Sequence, residues 1–250
     1  MANEIQVHTV VSKAEWLQAR KALLAKEKEF TRLRDSLSAE RRKLPMLRIE
    51  KDYRFDGPEG QTDLRSLFGP HSQLIVYHFM FDPGWNEGCR GCSYVMDNAE
   101  GSIVHLAARN TAFVAVSRAP LDKIEAFKKR MGWSFSWVSS FGSDFNYDFL
   151  VTLDPEKGDY EYNYTSVPAL RAAGKAIAEK GEMPGLSVFL REGEDIYHTY
   201  STYQRGLDVF LNTYNFLDLT PLGRQEGTQK MDWLRHHDKY PALAGASAAR

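Results

Sequence analysis

The chain has two cysteines, and they stand together as Cys89-Arg90-Gly91-Cys92. Shortly before them runs Gln73-Leu74-Ile75-Val76-Tyr77-His78-Phe79-Met80-Phe81, an apolar, β-rich stretch suited to a central buried strand. Asp82-Pro83-Gly84 breaks that run, residues 92–108 read as helical, and Thr111 to Ser117 reads as a second buried strand. Pro120, at a first helical position, opens another helix through Leu121, Ile124, Phe127 and Met131. Strand, cysteine loop, helix, strand, helix is a βαβα unit, which implies a parallel strand pair. In that setting the cysteine spacing points first to redox chemistry. A disulfide scaffold would scatter more cysteines through a smaller secreted chain. A structural zinc site would need two further ligands from among the 7 histidines.

Composition narrows the partners. With 43% hydrophobic and 12% aromatic residues the chain can build a real core, which excludes wholesale disorder. Lys and Arg number 32 against 33 Asp and Glu, so a nucleic-acid partner is not expected. No apolar run approaches the ~20 residues of a spanning helix, and no membrane partner is expected. Met1 to Val11 has neither the basic start nor the apolar stretch of a signal peptide. The expectation is a cytoplasmic globular protein.

Upstream, residues 12–44 read as one long amphipathic helix, with Ser12 and Glu15 at capping-box spacing and Pro45 ending it. Trp16, Leu23, Phe30 and Leu37 recur every seven residues, joined by Leu33. Two readings stay open: a coiled-coil homodimer, in which Lys26 would sit on the seam, or packing on the chain's own domain. Residues 48–55 suggest a strand, 56–60 a turn and 62–68 a short helix. The stretch 134–166 reads as strand pieces and loops, and 167–180 as a helix. Leu186 to Leu190 and Ile196 to Tyr200 flank a Gly-containing turn, which makes an antiparallel hairpin. Leu207 to Leu217 reads as a closing helix, and 241–250 as a flexible tail.

This layout resembles a thioredoxin-like domain. Trp85 precedes the cysteine motif as an aromatic does in thioredoxins, and Met183-Pro184 stands where that family keeps a cis-proline. Phe55 to Gly60, Leu64 to Phe68 and Val114-Ala115-Val116-Ser117 look more like peroxiredoxins. From about residue 12 to residue 240 the chain is similar to one bacterial family of predicted dithiol–disulfide oxidoreductases. Glu40-Arg41-Arg42, Val76 to Phe81, Ser139 to Phe149, Asn215 to Pro221 and Trp233 to Tyr240 carry that similarity. The resemblance implies an α/β fold: a three-layer α/β/α thioredoxin-like domain with a mixed sheet over 47–240, preceded by a helical arm over 1–46.

The chemistry follows from the thiols. A thiolate attacks a disulfide, so the first cysteine must ionise near neutral pH. At a helix N-terminus Cys89 would be stabilised as an anion, Arg90 would add a cation, and Gly91 would let the turn tighten. Cys92 would resolve the mixed disulfide. Glu87 would raise the Cys89 pKa and hold the site to moderate acidity. Pro184, if cis, would place flanking backbone beside the sulfurs for an extended substrate, and Trp85 reads equally as a substrate rim or a core-edge aromatic. The substrate would be a protein or low-molecular-weight thiol or disulfide, with no cofactor or metal, since the pair itself carries two electrons.

Two other functions compete. In a thiol peroxidase Arg118 would serve as the peroxide-site cation, or else cap a strand end in solvent. Pro83, however, precedes Cys89 by six residues where peroxiredoxins use seven, and Asn86 stands where they place a hydroxyl residue. A non-catalytic interaction module is the third. His78, His105 and His198 lack ligand-like spacing for zinc, and His236-His237 reads as part of a polar surface helix.

Overall fold

The computed structural model describes residues 9–157, 160–228 and 230–241. The tail expected over 241–250 lies, from residue 242, outside the described residues. The chain divides into two compact units, Met1–Met46 and Leu47–Arg250. The first is one helix, α1 (Lys13–Arg41). Its capping box is formed: the Ser12 hydroxyl accepts from the Glu15 N–H, and the Glu15 carboxylate accepts from the Ser12 N–H at 2.9 Å. It ends at Arg41, ahead of Pro45, and buries none of its residues. The stripe of Trp16, Leu23, Phe30 and Leu37 is exposed along its length.

The second unit is built on an eight-stranded mixed sheet. Its strands are β1 (Leu47–Arg48), β2 (Arg54–Gly57), β3 (Gly60–Asp63), β4 (Gln73–His78), β5 (Thr111–Ser117) and β6 (Ser136–Ser139), and later β11 (Gly185–Glu192) and β12 (Asp195–Tyr203). Two short pairs lie outside it: β7 (Thr152–Leu153) with β10 (Gly181–Glu182), and β8 (Glu161–Tyr162) with β9 (Thr165–Ser166). The order is β1-β12-β11-β4-β5-β6-β2-β3. β4 runs parallel to β5 and antiparallel to β11, which pairs antiparallel with β12. A central strand flanked by its parallel βαβ partner and by an antiparallel hairpin, with the cysteine helix leaving its C-terminal end, is the thioredoxin-like arrangement.

Alternation along β4 sets the layers. Tyr77, Phe79 and Phe81 belong to the core beneath α2 (Arg90–Ala99) and α4 (Leu121–Met131), with Cys92, Met96, Ile124 and Phe127. Leu74 and Val76 face the other core, with Phe145, Phe149, Tyr162 and Val167 from the crossover that returns β6 to β11. His78 points to that side. Its Nε2 lies 2.8 Å from the Ser187 hydroxyl, Ser187 lies 2.7 Å from Ser201, and Ser201 lies 2.7 Å from His198 Nε2. His78 and His198 are thus tied into a hydrogen-bonded chain across three strands.

Several boundaries differ from the sequence reading. The segment 62–68 is β3 followed by a single helical turn, Ser66–Phe68. The helix after the cysteines starts at Arg90 and breaks at Glu100–Ser102 before α3 (Ile103–Ala107). The helix expected over 167–180 stops at Ala172, because Gly174 takes φ +72 and turns the chain away. Among the described residues no helix is long and apolar enough to cross a membrane.

Candidate active site at the cysteine pair

The loop from β4 to α2 is held by its own backbone and by one glycine. The Cys89 N–H donates to Met80 O at 3.0 Å, closing the loop back on the strand end. Lys123 Nζ donates to the carbonyls of Pro83 (2.7 Å) and Trp85 (3.1 Å). A Cβ on Gly88 would fall 2.6 Å from Phe79 Cε1 and 2.8 Å from Phe127 Cε1, so only glycine brings this backbone against the aromatic core. Gly91 differs from its expected part. A Cβ there would meet Cys89 Sγ at 3.7 Å and Met231 Cε at 3.9 Å, which are ordinary contacts. The close approach of the loop to the core depends on Gly88.

Cys89 occupies the N-cap of α2 and is half-buried, whereas Cys92 is fully buried in the first turn. The two stand 4 Å apart. Both are free thiols. Their environments push them in opposite directions. Cys89 is brought down to about 6, chiefly by the hydrogen bond from Cys92, with the N–H groups of Cys92 and Gly91 and the Arg90 charge assisting against burial. Cys92 is held well above an ordinary thiol by burial and by the neighbouring Cys89 charge. Its Sγ accepts the Met80 N–H at 3.4 Å. The arrangement therefore favours ionisation at Cys89 over Cys92.

Glu87 does not restrain this acidity as expected. Its carboxylate is gripped by Arg130 Nη1 (2.6 Å) and by Lys239 Nζ (2.7 and 2.9 Å), so its charge is compensated and its own pKa lowered. Arg118 neither caps a strand end in solvent nor stands free for a peroxide. It pairs with Glu182, 1% exposed at its side chain, at 2.8 Å.

Met183 and Pro184 do not line the cavity at Cys89. No peptide bond among the described residues is cis, Pro184 included. The Met183 N–H donates to Val151 O at 2.8 Å, the Pro184 carbonyl accepts from Tyr162 Oη at 2.8 Å, and Met183 packs on the far core. The backbone expected to meet an extended substrate is already hydrogen-bonded internally.

The residues that do meet Cys89 come from the far end of the chain. Residues 231–240 form a strap against the cysteine loop. Leu234 is buried in the core beneath α2, Arg90 Nη1 donates to its carbonyl at 3.0 Å, and Trp233 packs on Tyr94 and Tyr214. His236, 3% exposed, donates from Nε2 to Gly88 O at 2.9 Å, while its Nδ1 faces Arg130 Nη2 at 3.3 Å; these partners assign the proton to Nε2. Arg130 also binds Asp238 through Nε at 2.8 Å. The expected polar surface helix at His236-His237 is instead a single turn, His237–Lys239, docked on the site. The similarity carried by Trp233 to Tyr240 was the one signal that this segment matters. Between strap and loop lies a cavity of about 500 Å³, whose rim includes Trp85, 37% exposed. Among the described residues no group of three or more His, Cys, Asp or Glu side chains is placed to hold a metal ion.

The model of the bacterial family of unknown function DUF899 matches residues 5–240, and the chain belongs to that family. No curated protein matches it. Among solved structures, the chain is similar to a mutant form of peroxiredoxin Q of Xanthomonas campestris, at 17% identity and TM-score 0.40 over 65% of this chain and 90% of that one. It is similar to the peroxidoxin BcpB of Mycobacterium tuberculosis, at 12% identity and TM-score 0.38 over 68% and 95%. A candidate protein disulfide isomerase from Bacteroides thetaiotaomicron aligns at 15% identity and TM-score 0.40 over 69% and 89%. The fold assignment rests on the strand order and connections described above.

Proposed function

We propose that this member of the DUF899 family is a thiol–disulfide oxidoreductase, in which Cys89 attacks and Cys92 resolves. The observation that carries the reading is the placement of two free thiols 4 Å apart, Cys89 at the N-cap of α2 and Cys92 buried in its first turn, an arrangement that lowers Cys89 to about 6 and raises Cys92. At neutral pH Cys89 is then a nucleophile, and the proton on Cys92 keeps the second thiol inactive until the mixed disulfide removes the Cys89 charge. Arg90 supports the thiolate, Trp85 forms one wall of the approach, and the cysteine pair carries both electrons without a cofactor or metal. Peroxide reduction would draw on the same thiolate. Exchange is favoured because a second thiol, Cys92, is buried 4 Å from Cys89, while Arg118, the cation the sequence offered for a peroxide, is paired with Glu182.

The test is a redox titration. Equilibrating the protein in dithiothreitol or glutathione buffers, quenching with an alkylating agent and weighing the product should give one two-electron transition between Cys89 and Cys92. Cys92→Ser should accumulate a mixed disulfide at Cys89. Two thiols that stay free in strongly oxidising buffer would sink the reading.

A further inference from the structure

The exchange reading leaves open what meets Cys89, and the cavity beside it bears on that question. We propose that the substrate is a small, carboxylate-bearing disulfide or thiol, bound by Arg90 and Arg235 between the cysteine loop and the C-terminal strap. This deepens the exchange reading and rests on it.

Charge is the first argument. The carboxylate in the cavity wall, Glu87, is consumed by Arg130 and Lys239. Arg90 and Arg235 also line the cavity, and neither pairs with a carboxylate among the described residues. Their described partners are backbone carbonyls. Arg90 Nη1 and Arg235 Nη1 both donate to Leu234 O, at 3.0 and 2.9 Å, and Arg235 Nη1 also reaches Asp232 O at 3.1 Å. Two guanidinium groups thus converge on one carbonyl oxygen, and the mutual repulsion of like charges falls when an anion joins them. That anion would sit within the cavity that reaches Cys89.

Size and enclosure are the second. About 500 Å³ is the scale of a small-molecule site, bounded by Trp85 on one side and by Arg235, His236 and Lys239 on the other. An extended protein chain would need backbone partners, and those flanking Pro184 are occupied by Val151 and Tyr162.

For a disulfide R–S–S–R the step balances within the site. The Cys89 thiolate bonds to one substrate sulfur, the S–S bond breaks, and R–S⁻ leaves and takes up a proton. Cys92 gives up its proton, the one that the first R–S⁻ takes up, and attacks Cys89 Sγ, forming the internal disulfide and releasing the second R–S⁻. Two electrons pass from the cysteine pair to the substrate, and the carboxylate of the R group bonded to Cys89 stays against the arginines until the second step releases it. Reversal runs the same bonds backwards.

The test compares single-turnover oxidation of the reduced full-length protein by dithiodiglycolate (anionic), hydroxyethyl disulfide (neutral) and cystamine (cationic). Each rate is divided by that probe's rate with dithiothreitol, whose thiolate carries the same charge as Cys89. We expect the anionic probe to be favoured over the cationic one by roughly tenfold or more at low salt. The preference should shrink as salt is raised, fall in Arg235→Gln and return in Arg235→Lys. Equal normalised rates, with the Cys89–Cys92 disulfide still forming, would overturn the anionic substrate class and leave exchange standing. No internal disulfide with any probe would overturn both.

Discussion

His236 Nε2 lies 2.9 Å from the carbonyl oxygen of Gly88, the residue before Cys89. The ring is buried and also stands edge-on to Phe127, 5.3 Å between centroids, so one side chain joins the C-terminal strap, α4 and the cysteine loop. The loop that presents Cys89 is therefore shaped from both sides, by the aromatic pair under Gly88 and by the imidazole over it.

Removing that imidazole should loosen the loop. His236→Ala leaves the buried Gly88 carbonyl and Arg130 without this partner, at a cost of ~1–3 kcal/mol. The melting temperature should fall, and alkylation of Cys89 at neutral pH should accelerate several-fold as the strap opens. His236→Gln, which keeps a donor, should recover part of both effects. Unchanged melting and unchanged alkylation in the alanine variant would show that the strap does not brace the site.

Ionisation of Cys89 is open to direct measurement. The rate of alkylation should rise with pH around a midpoint near 6, the value to which Cys92, the backbone N–H groups and Arg90 bring the thiol. Arg90→Gln should move the midpoint upward. The linkage sign follows: a thiol depressed on folding adds stability that is fully present above its unfolded pKa of ~8.5 and is lost as pH falls through about 6. The reduced protein should thus gain stability relative to the oxidised one as pH rises through that window. Above it, the raised Cys92 pKa works in the opposite direction. A midpoint near that of a free thiol would contradict the geometry at the N-cap.

What sequence reasoning could and could not see divides along contact distance. The central strand within 73–81, which ends at His78, the cysteine helix, the parallel partner at 111–117 and the hairpin were legible because each is set by local periodicity and turn chemistry. The strap was not, since Gly88–His236 and Arg90–Leu234 join residues 148 and 144 positions apart. The choice between Gly88 and Gly91 was hidden for the same reason. Phe127, which excludes a side chain at Gly88, belongs to a different helix. Glu87 was misjudged because a charge can be weighed only with its partners, and Lys239 lies 152 residues away.

A second titrating group lies in the Arg118–Glu182 pair. Burial outweighs the guanidinium and lifts Glu182 to about 7, although Thr152 Oγ1 donates to it at 2.9 Å. A carboxyl raised on folding contributes stability that is fully present below its unfolded pKa of ~4.5 and is lost as pH rises through about 7. Arg118→Leu, which leaves Glu182 unpaired, should cost ~3–5 kcal/mol at pH 8 and much less at pH 5. Denaturant unfolding at the two pH values checks this, and equal losses would mean that Glu182 titrates normally.

Tyr77 offers the last test, on the resolving half of the cycle. Its hydroxyl is buried, makes no well-aligned hydrogen bond, and faces the Cys92 thiol from the strand beneath. The only backbone donor to Cys92 among the described residues is Met80 N–H, so a second donor would matter most when Cys92 loses its proton to attack the mixed disulfide. Tyr77→Phe removes the oxygen and keeps the ring that packs edge-on to Phe79. Since the hydroxyl has no other partner to abandon, stability should hold or rise slightly. Formation of the mixed disulfide at Cys89 should proceed at its usual rate, while its resolution by Cys92 slows by roughly three- to tenfold, the loss of one hydrogen bond to a charged sulfur. Stopped-flow mixing with a chromogenic disulfide separates the two steps. If both slow together, or if neither does, Tyr77 is a core residue and the thiolate of Cys92 is carried by Met80 alone.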